Sequence, residues 1–299
     1  MIRHVPLAAS GTELRATVGP LARGPHDPCL RRAPGEVWRA TNTPDGPGTE
    51  RLTATPDGVE VETFGPGAEW LTDHAPALVG AFDVGADFAP PSEPFATLHR
   101  RYPSLRLTTA GNPVELMVPT ILEQKVTSVE AHRSYARLVR AHGHPAPGPC
   151  DGLMVPPTPA ELAALPSFAW HAVGVERRRA ETVREVCRRA ASIERVARDG
   201  SAAFQAAVVS LPGIGVWTAT AVGCLAFGDP DSVLVGDYHL PAFVAWNLAG
   251  ERTADDARML ELLEPCRPHR ARAVALLGRE GRHPPRHGPK AAVRDIRRI

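Results

Sequence analysis

The chain has 299 residues, 43% apolar and 22% charged, the composition of an ordinary folded protein with chain enough for one large core or two smaller ones. No window approaches ~20 consecutive apolar residues, so a membrane-spanning helix is excluded and a cytoplasmic location is the default expectation. Five scattered cysteines, Cys29, Cys150, Cys187, Cys224 and Cys266, form no CxxC pair, which argues against a disulfide framework and against a cysteine-rich metal site.

The net charge of +1 hides a division along the chain: residues 1–100 carry 8 Lys and Arg against 13 Asp and Glu, and the remainder carries 26 against 20. Positive charge thickens after His269, where Arg270, Arg272, Arg279, Arg282, Arg286, Lys290, Arg294, Arg297 and Arg298 face only Glu280 and Asp295. Such a basic tail is a solvated end that would also attract a polyanion.

In chain order, residues 1–35 are rich in Pro, Gly and Arg without sustained periodicity, and a poorly ordered segment is expected there. Glu36–Thr41, Glu50–Thr55 and Val59–Phe64 are short β-prone runs, separated by Pro44-Asp45-Gly46 and Pro56-Asp57-Gly58 turn signals, and predict a small antiparallel sheet. Pro66 and Gly67 open a helix whose apolar residues Trp70, Leu71, Ala75, Leu78 and Val79 would lie on that sheet. Pro90, Pro91 and Pro94 mark a linker, so residues 36–95 read as a sheet-and-helix domain and residues 96–299 as a helical domain ending in the basic tail.

Asn112 and Pro113 supply a cap and a first-turn proline for an apolar helix through Leu122, with a kink or restart expected at Pro119. Thr127 and Glu130 form a capping box for the next helix, which leaves Gln124, Lys125 and Val126 at a junction. Further helices are expected from Thr158, from Glu176 to Ala191, from Thr253 and from Pro268 to Leu277, about nine after Phe95 in all, so the fold class is α+β with a dominant helical part.

The most informative stretch is Leu211-Pro212-Gly213-Ile214-Gly215-Val216-Trp217-Thr218-Ala219. Ser201 is placed as the cap of an apolar run to Val209, Pro212 ends it, and Gly213 and Gly215 are read as the positive-φ residues of a tight turn into a helix over 216–227. Such a hairpin aims backbone N–H groups outward at a helix N-terminus, where a phosphate can be held by those donors and the helix dipole alone. An ordinary turn between helices has the same local signature. Asp237, in Gly236-Asp237-Tyr238, heads the next apolar run.

The hairpin and the aspartate segment together resemble the helix-hairpin-helix DNA glycosylase superfamily, and most closely its bacterial 3-methyladenine DNA glycosylase II branch. The resemblance implies a sheet-and-helix N-terminal domain at residues 36–80, a helical glycosylase bundle, and Asp237 as the catalytic carboxylate. It also implies DNA contacts by Leu211, Gly213, Gly215, Val216 and Thr218. Gln124 matches the glutamine of the family's ILxQ segment, so Gln124 and Lys125 are implied to fill the gap left by an extruded nucleotide. Trp217, Tyr238 and His239 are the base-pocket candidates.

A carboxylate near C1′ stabilises the positive charge that develops as an N-glycosidic bond breaks, and an alkylated purine, already cationic, departs without an acid. Trp217 stands where bifunctional relatives carry a Schiff-base lysine, and the only lysines are Lys125 and Lys290. The implied enzyme is therefore a monofunctional glycosylase of base excision repair, a monomer acting on damaged double-stranded DNA and releasing alkylated purines. No cofactor and no protein-bound metal centre are implied: only Cys266 lies beyond Asp237, so the iron–sulfur cluster of some relatives is excluded. A monovalent cation under the hairpin carbonyls is a further implication.

Ala221 and Cys266 depart from the branch, which has aromatic pocket residues at both places, so alkylated, oxidised and deaminated purines all stay open. An oxidised-guanine DNA glycosylase and a non-catalytic helix-hairpin-helix DNA-binding protein are the two other readings.

Overall fold

The computed structural model describes residues 1–7, 10–83, 85–285, 293 and 295–298. Five strands form one antiparallel sheet: β1 (Ile2–Pro6), β2 (Leu30–Ala33), β3 (Glu36–Thr43), β4 (Gly46–Thr55) and β5 (Gly58–Phe64), in the order β1-β5-β4-β3-β2. The central three are consecutive hairpins, joined at the Pro-Asp-Gly turns that the sequence marks. Val37, Leu52 and Val61 lie opposite one another across β3, β4 and β5, and all are buried on one face.

The expectation of poor order over residues 1–35 is corrected. β1 pairs with the outer edge of β5, Val5 facing Val59, and β2 pairs with β3 at the opposite edge. Between them α1 (Gly11–Val18) starts with a capping box of Ser10 and Glu13 and buries Leu14, Thr17 and Val18. These pieces are too short to show periodicity. What orders them is a ladder of backbone partners offered by strands that follow them in sequence.

Helix α2 (Ala68–Leu78) lies on β4 and β5 through Leu71, Ala75 and Leu78. Helix α3 (Glu93–Arg101) begins inside the expected linker, with Pro94 in its first turn. Helix α4 (Pro113–Leu122) is buried almost all round because the sheet covers one side and other helices the rest. It runs through Pro119 and ends at Leu122; α5 (Ser128–His142) restarts after the Thr127 cap. Asn112 does not cap α4 with its side chain: at φ 45° its amide instead donates to Asn42 O at 2.7 Å, tying the helix to β3.

A two-residue pairing of β6 (His144–Pro145) with β7 (Met154–Val155) covers Ala40 of the sheet through Leu153 and Val155. The chain continues as α6 (Pro159–Ala164), α7 (Ser167–Ala172), α8 (Arg177–Arg188), α9 (Ala190–Ala197), α10 (Ser201–Val208) and α11 (Val216–Phe227). It closes with α12 (Leu240–Ala249), α13 (Asp256–Leu263) and α14 (Arg270–Glu280). Eleven α-helices thus begin after Phe95 among the described residues, the extra ones being short pieces such as α7 and α9. None of the described helices is long and apolar enough to cross a membrane. Arg286, Lys290 and Arg294 of the basic tail lie outside the described residues.

Two cores organise these elements. The first joins the sheet to α4, α5, α8, α10 and α11 through residues such as Leu52, Met117, Ile121, Leu138, Val183, Phe204 and Val222. The second includes Phe95 and Leu98 of α3 with Phe243, Val244, Met259, Leu263, Ala273, Leu276 and Leu277 of α12–α14. The cores therefore do not divide at residue 95: the sheet shares a core with the central helices, whereas α3 packs with the last three. Asp83 and the buried Arg272 of α14 form an ion pair that ties the α2–α3 connection to the second core.

Candidate active site

The turn between α10 and α11 is set by one glycine. Gly213 has φ +84°, and a Cβ there would sit 2.3 Å from Thr182 Oγ1 on α8, so both backbone and space demand glycine. Gly215 is different, and the reading of a second positive φ is corrected. Its φ is −106°, an extended conformation open to any residue, and an added Cβ would meet nothing within 4 Å. Gly215 is the N-cap of α11 and has no side chain to satisfy the first-turn amides, and among the described residues no side chain caps them. Ser201 also departs from expectation. Gly200 is the N-cap of α10, and the Ser201 hydroxyl donates to Asp229 Oδ2 at 2.7 Å.

Gly213, Gly215 and Val216 are exposed on this turn, while Leu211 is half-buried against the first core. Thr218 is buried, so its side chain is not an outward contact. Its hydroxyl accepts Gln124 Nε2 at 2.9 Å, and the same amide nitrogen donates to Gly213 O at 3.0 Å. Gln124 thereby braces the hairpin, and Lys125 beside it is exposed at the α4–α5 junction. Lys125 has φ +56°, a left-handed conformation that is uncommon for a side-chain-bearing residue.

The elements around this tip hold it. Arg179 of α8 donates to Leu122 O at 2.6 Å, and Glu123 faces both Arg23 Nη1 and His132 Nε2 at 3.3 Å.

After α11 the chain passes through a pinned loop. Asp229 accepts hydroxyls from Ser201 and Ser232, each at 2.7 Å, and Asp231 accepts the backbone N–H of Arg270 and its guanidinium. Gly236, at φ +86°, then turns the chain into Asp237. Asp237 Oδ1 accepts the backbone N–H groups of His239 and Leu240 at 2.8 and 2.9 Å, closing the turn that leads into α12. Its other oxygen, Oδ2, accepts the indole N–H of Trp217 at 3.1 Å. The carboxylate is half-exposed, and Oδ2 retains acceptor capacity for a further partner.

Of the base-pocket candidates, Trp217 is half-buried and in contact with Asp237, whereas Tyr238 is 90% exposed and His239 is exposed. Tyr238 and His239 stand edge to face at 4.8 Å, on a rim extended by His283, whose ring lies 6.3 Å from His239 and 5.0 Å from Phe243. His283 carried no local signal in the sequence. Cys266 is buried in the second core, where burial pushes its thiol up to about 11, and Phe227 packs on Phe204 in the first; neither lines the rim.

No protein-family model and no curated protein matches the sequence. Solved structures do match. A 3-methyladenine DNA glycosylase from Archaeoglobus fulgidus superposes with a TM-score of 0.76 over 94% of this chain and 98% of its own, at 18% identity. An 8-oxoguanine glycosylase/lyase from Clostridium acetobutylicum, bound to double-stranded DNA, gives 0.67 over 94% and 98% at 10% identity. The Schizosaccharomyces pombe 3-methyladenine DNA glycosylase, bound to abasic DNA, gives 0.51 over 62% and 90% at 18% identity. The chain has the fold of these DNA glycosylases. Its α+β class and the presence of the sheet beside the helical bundle follow from that fold, as read from the sequence.

Proposed function

We propose that the chain is a monofunctional DNA glycosylase of base excision repair that releases alkylated purines of the 3-methyladenine type from duplex DNA. The observation that carries this reading is the link between the hairpin and the carboxylate. Trp217 is in the first turn of α11, at the uncapped end suited to a phosphate, and its indole holds Asp237. A backbone anchored there would bring its sugars within reach of that carboxylate.

In this reading the amides of Gly215, Val216 and their neighbours anchor a phosphate, and Lys125 enters the space vacated by the extruded nucleotide. Leu211 O and Gly213 O accept Ile214 N and Gln124 Nε2, and with a lone pair left on each these carbonyls would be the residues to hold a monovalent cation. The Asp237 carboxylate faces C1′ as positive charge develops there; a unit charge at ~4 Å contributes about 4 kcal/mol at an effective dielectric of ~20, roughly a thousandfold in rate. The cationic purine departs as a neutral base with the bonding pair, and water then adds at C1′ and gives up its proton to solvent. Three donors on the carboxylate, from Trp217, His239 and Leu240, hold it in place before the sugar arrives.

Trp217 offers no amine at the hairpin, which supports hydrolysis without strand cleavage. The exposed rim of Tyr238, His239 and His283 would close on a flipped base only in the complex. The protein would act as a monomer on DNA alone.

The test is base release from duplexes each carrying one alkylated, oxidised or deaminated purine, with Asp237→Asn beside the parent. Asparagine keeps an oxygen for the His239 and Leu240 amides but turns a donor toward the Trp217 indole N–H, so stability should fall by about 1–3 kcal/mol with the fold retained. Excision should slow about a hundred- to a thousandfold while abasic-DNA binding persists. A folded, DNA-binding Asp237→Asn protein that excised at the parent rate would leave a phosphate clamp without catalysis as the better reading.

A further inference from the structure

We propose that Asp256 is a positioning residue for Asp237, acting through the backbone of Gly236; the inference rests on the catalytic reading of Asp237 above. Asp256 is the first residue of α13, and both its carboxylate oxygens accept the N–H of Gly236, at 3.1 and 3.0 Å. That amide immediately precedes the residue that bears the carboxylate.

Helix capping does not account for Asp256. The cap of α13 is the neighbouring Asp255, whose Oδ1 accepts Arg258 N at 2.9 Å. Asp256 turns its acceptors away from its own helix onto a loop 20 residues earlier. It does so from a rigid base, since Met259 and Leu263 of the same helix are wholly buried in the second core.

Gly236 is a point where the chain needs such restraint. Its φ of +86° suits glycine, yet glycine is also the residue freest to leave that conformation. The Asp237 segment is thus held from both cores. Trp217, on α11 of the first core, bonds the carboxylate, and Asp256, on α13 of the second, bonds the amide before it. Removing the second hold would let Asp237 shift without unfolding either core, and misplacement of a reacting group by about 1 Å costs on the order of a hundredfold in rate.

The experiment compares Asp256→Ala and Asp256→Asn in the full chain, by single-turnover release of 3-methyladenine from a duplex carrying one such base and by hydrogen exchange at the Gly236 amide. Alanine should slow release about ten- to a hundredfold and expose the amide, with little change in melting temperature or in abasic-duplex affinity. Asparagine keeps one accepting oxygen and should recover most of both. Release at the parent rate in Asp256→Ala overturns the proposal. So does an Asp256→Asn protein as slow as the alanine variant with its Gly236 amide still protected, because charge would then matter and the acceptor would not. Should the alanine variant not fold, Asp256→Leu, which also lacks an acceptor for the Gly236 amide, takes its place and is read in the same way. A parent protein that released no base from any lesion would defeat the catalytic reading itself, a result distinguishable from an active parent indifferent to Asp256.

Discussion

Trp217 donates its indole N–H to Asp237 Oδ2 at 3.1 Å, joining the first turn of α11 to the residue that heads α12. Trp217→Phe keeps the ring and removes the donor. A hydrogen bond to a charged group contributes about 1.5–3 kcal/mol, and part of that should appear as slower single-turnover base release, about tenfold. Affinity for an abasic duplex should stay near the parent value. An unchanged excision rate would show that the bond is broken in the DNA complex.

The two hairpin glycines make a paired test. Gly213→Ala forces an L-residue to φ +84° against Thr182, at a cost of at least about 1–2 kcal/mol, and should lower both melting temperature and DNA affinity. Gly215→Ala, extended and facing open space, should leave the melting temperature unchanged. If a phosphate approaches the α11 amides closely, its methyl group should nonetheless weaken DNA binding. Equal affinity for Gly215→Ala and parent would move the phosphate elsewhere.

Lys125 offers a separate reading of the junction. Lys125→Gly preserves the left-handed backbone and removes the tip, so the protein should be as stable as the parent or more so by up to about 1 kcal/mol, yet flip its target less effectively. The parent, incubated with an abasic duplex and borohydride, should trap no covalent adduct. An adduct that disappeared in Lys125→Gly would make this lysine a nucleophile.

Asp231 gives a prediction in pH. Burial alone would raise its carboxyl, but the hydrogen bonds of Arg270 and the charges of Arg270 and Arg267 outweigh that and hold it below the usual carboxylate range. Because the folded value is depressed, the stabilisation is fully present above the unfolded value of about 3.9 and is lost as pH falls through the folded one. Asp231→Asn should therefore destabilise by about 1–2 kcal/mol at neutral pH, modest because solvent still reaches the carboxylate, and the difference should shrink below about pH 4. Thermal melts of both proteins across that range check it.

Local sequence was sufficient wherever a physical signal is short-range. β-prone runs bounded by Pro-Asp-Gly turns mark β3, β4 and β5, and the Pro-Gly break before Val216 marks the hairpin, because strand propensity and turns are decided by neighbours a few residues apart. Asp237 was legible as the head of α12 for the same reason, and its two bonds to backbone amides span only two and three residues. Tertiary structure decided the rest. The ordering of β1 and β2 required strands that come later; the hydrogen bonds of Gln124 to Gly213 and Thr218 span 89 and 94 residues; and Arg23 meets Glu123 across 100 residues. Asp256 reads locally as one more acid opening a helix. Only the packing of α13 beside the Gly236 turn gives its carboxylate that amide to hold, since a hydrogen bond between distant segments leaves no periodicity in the chain that forms it.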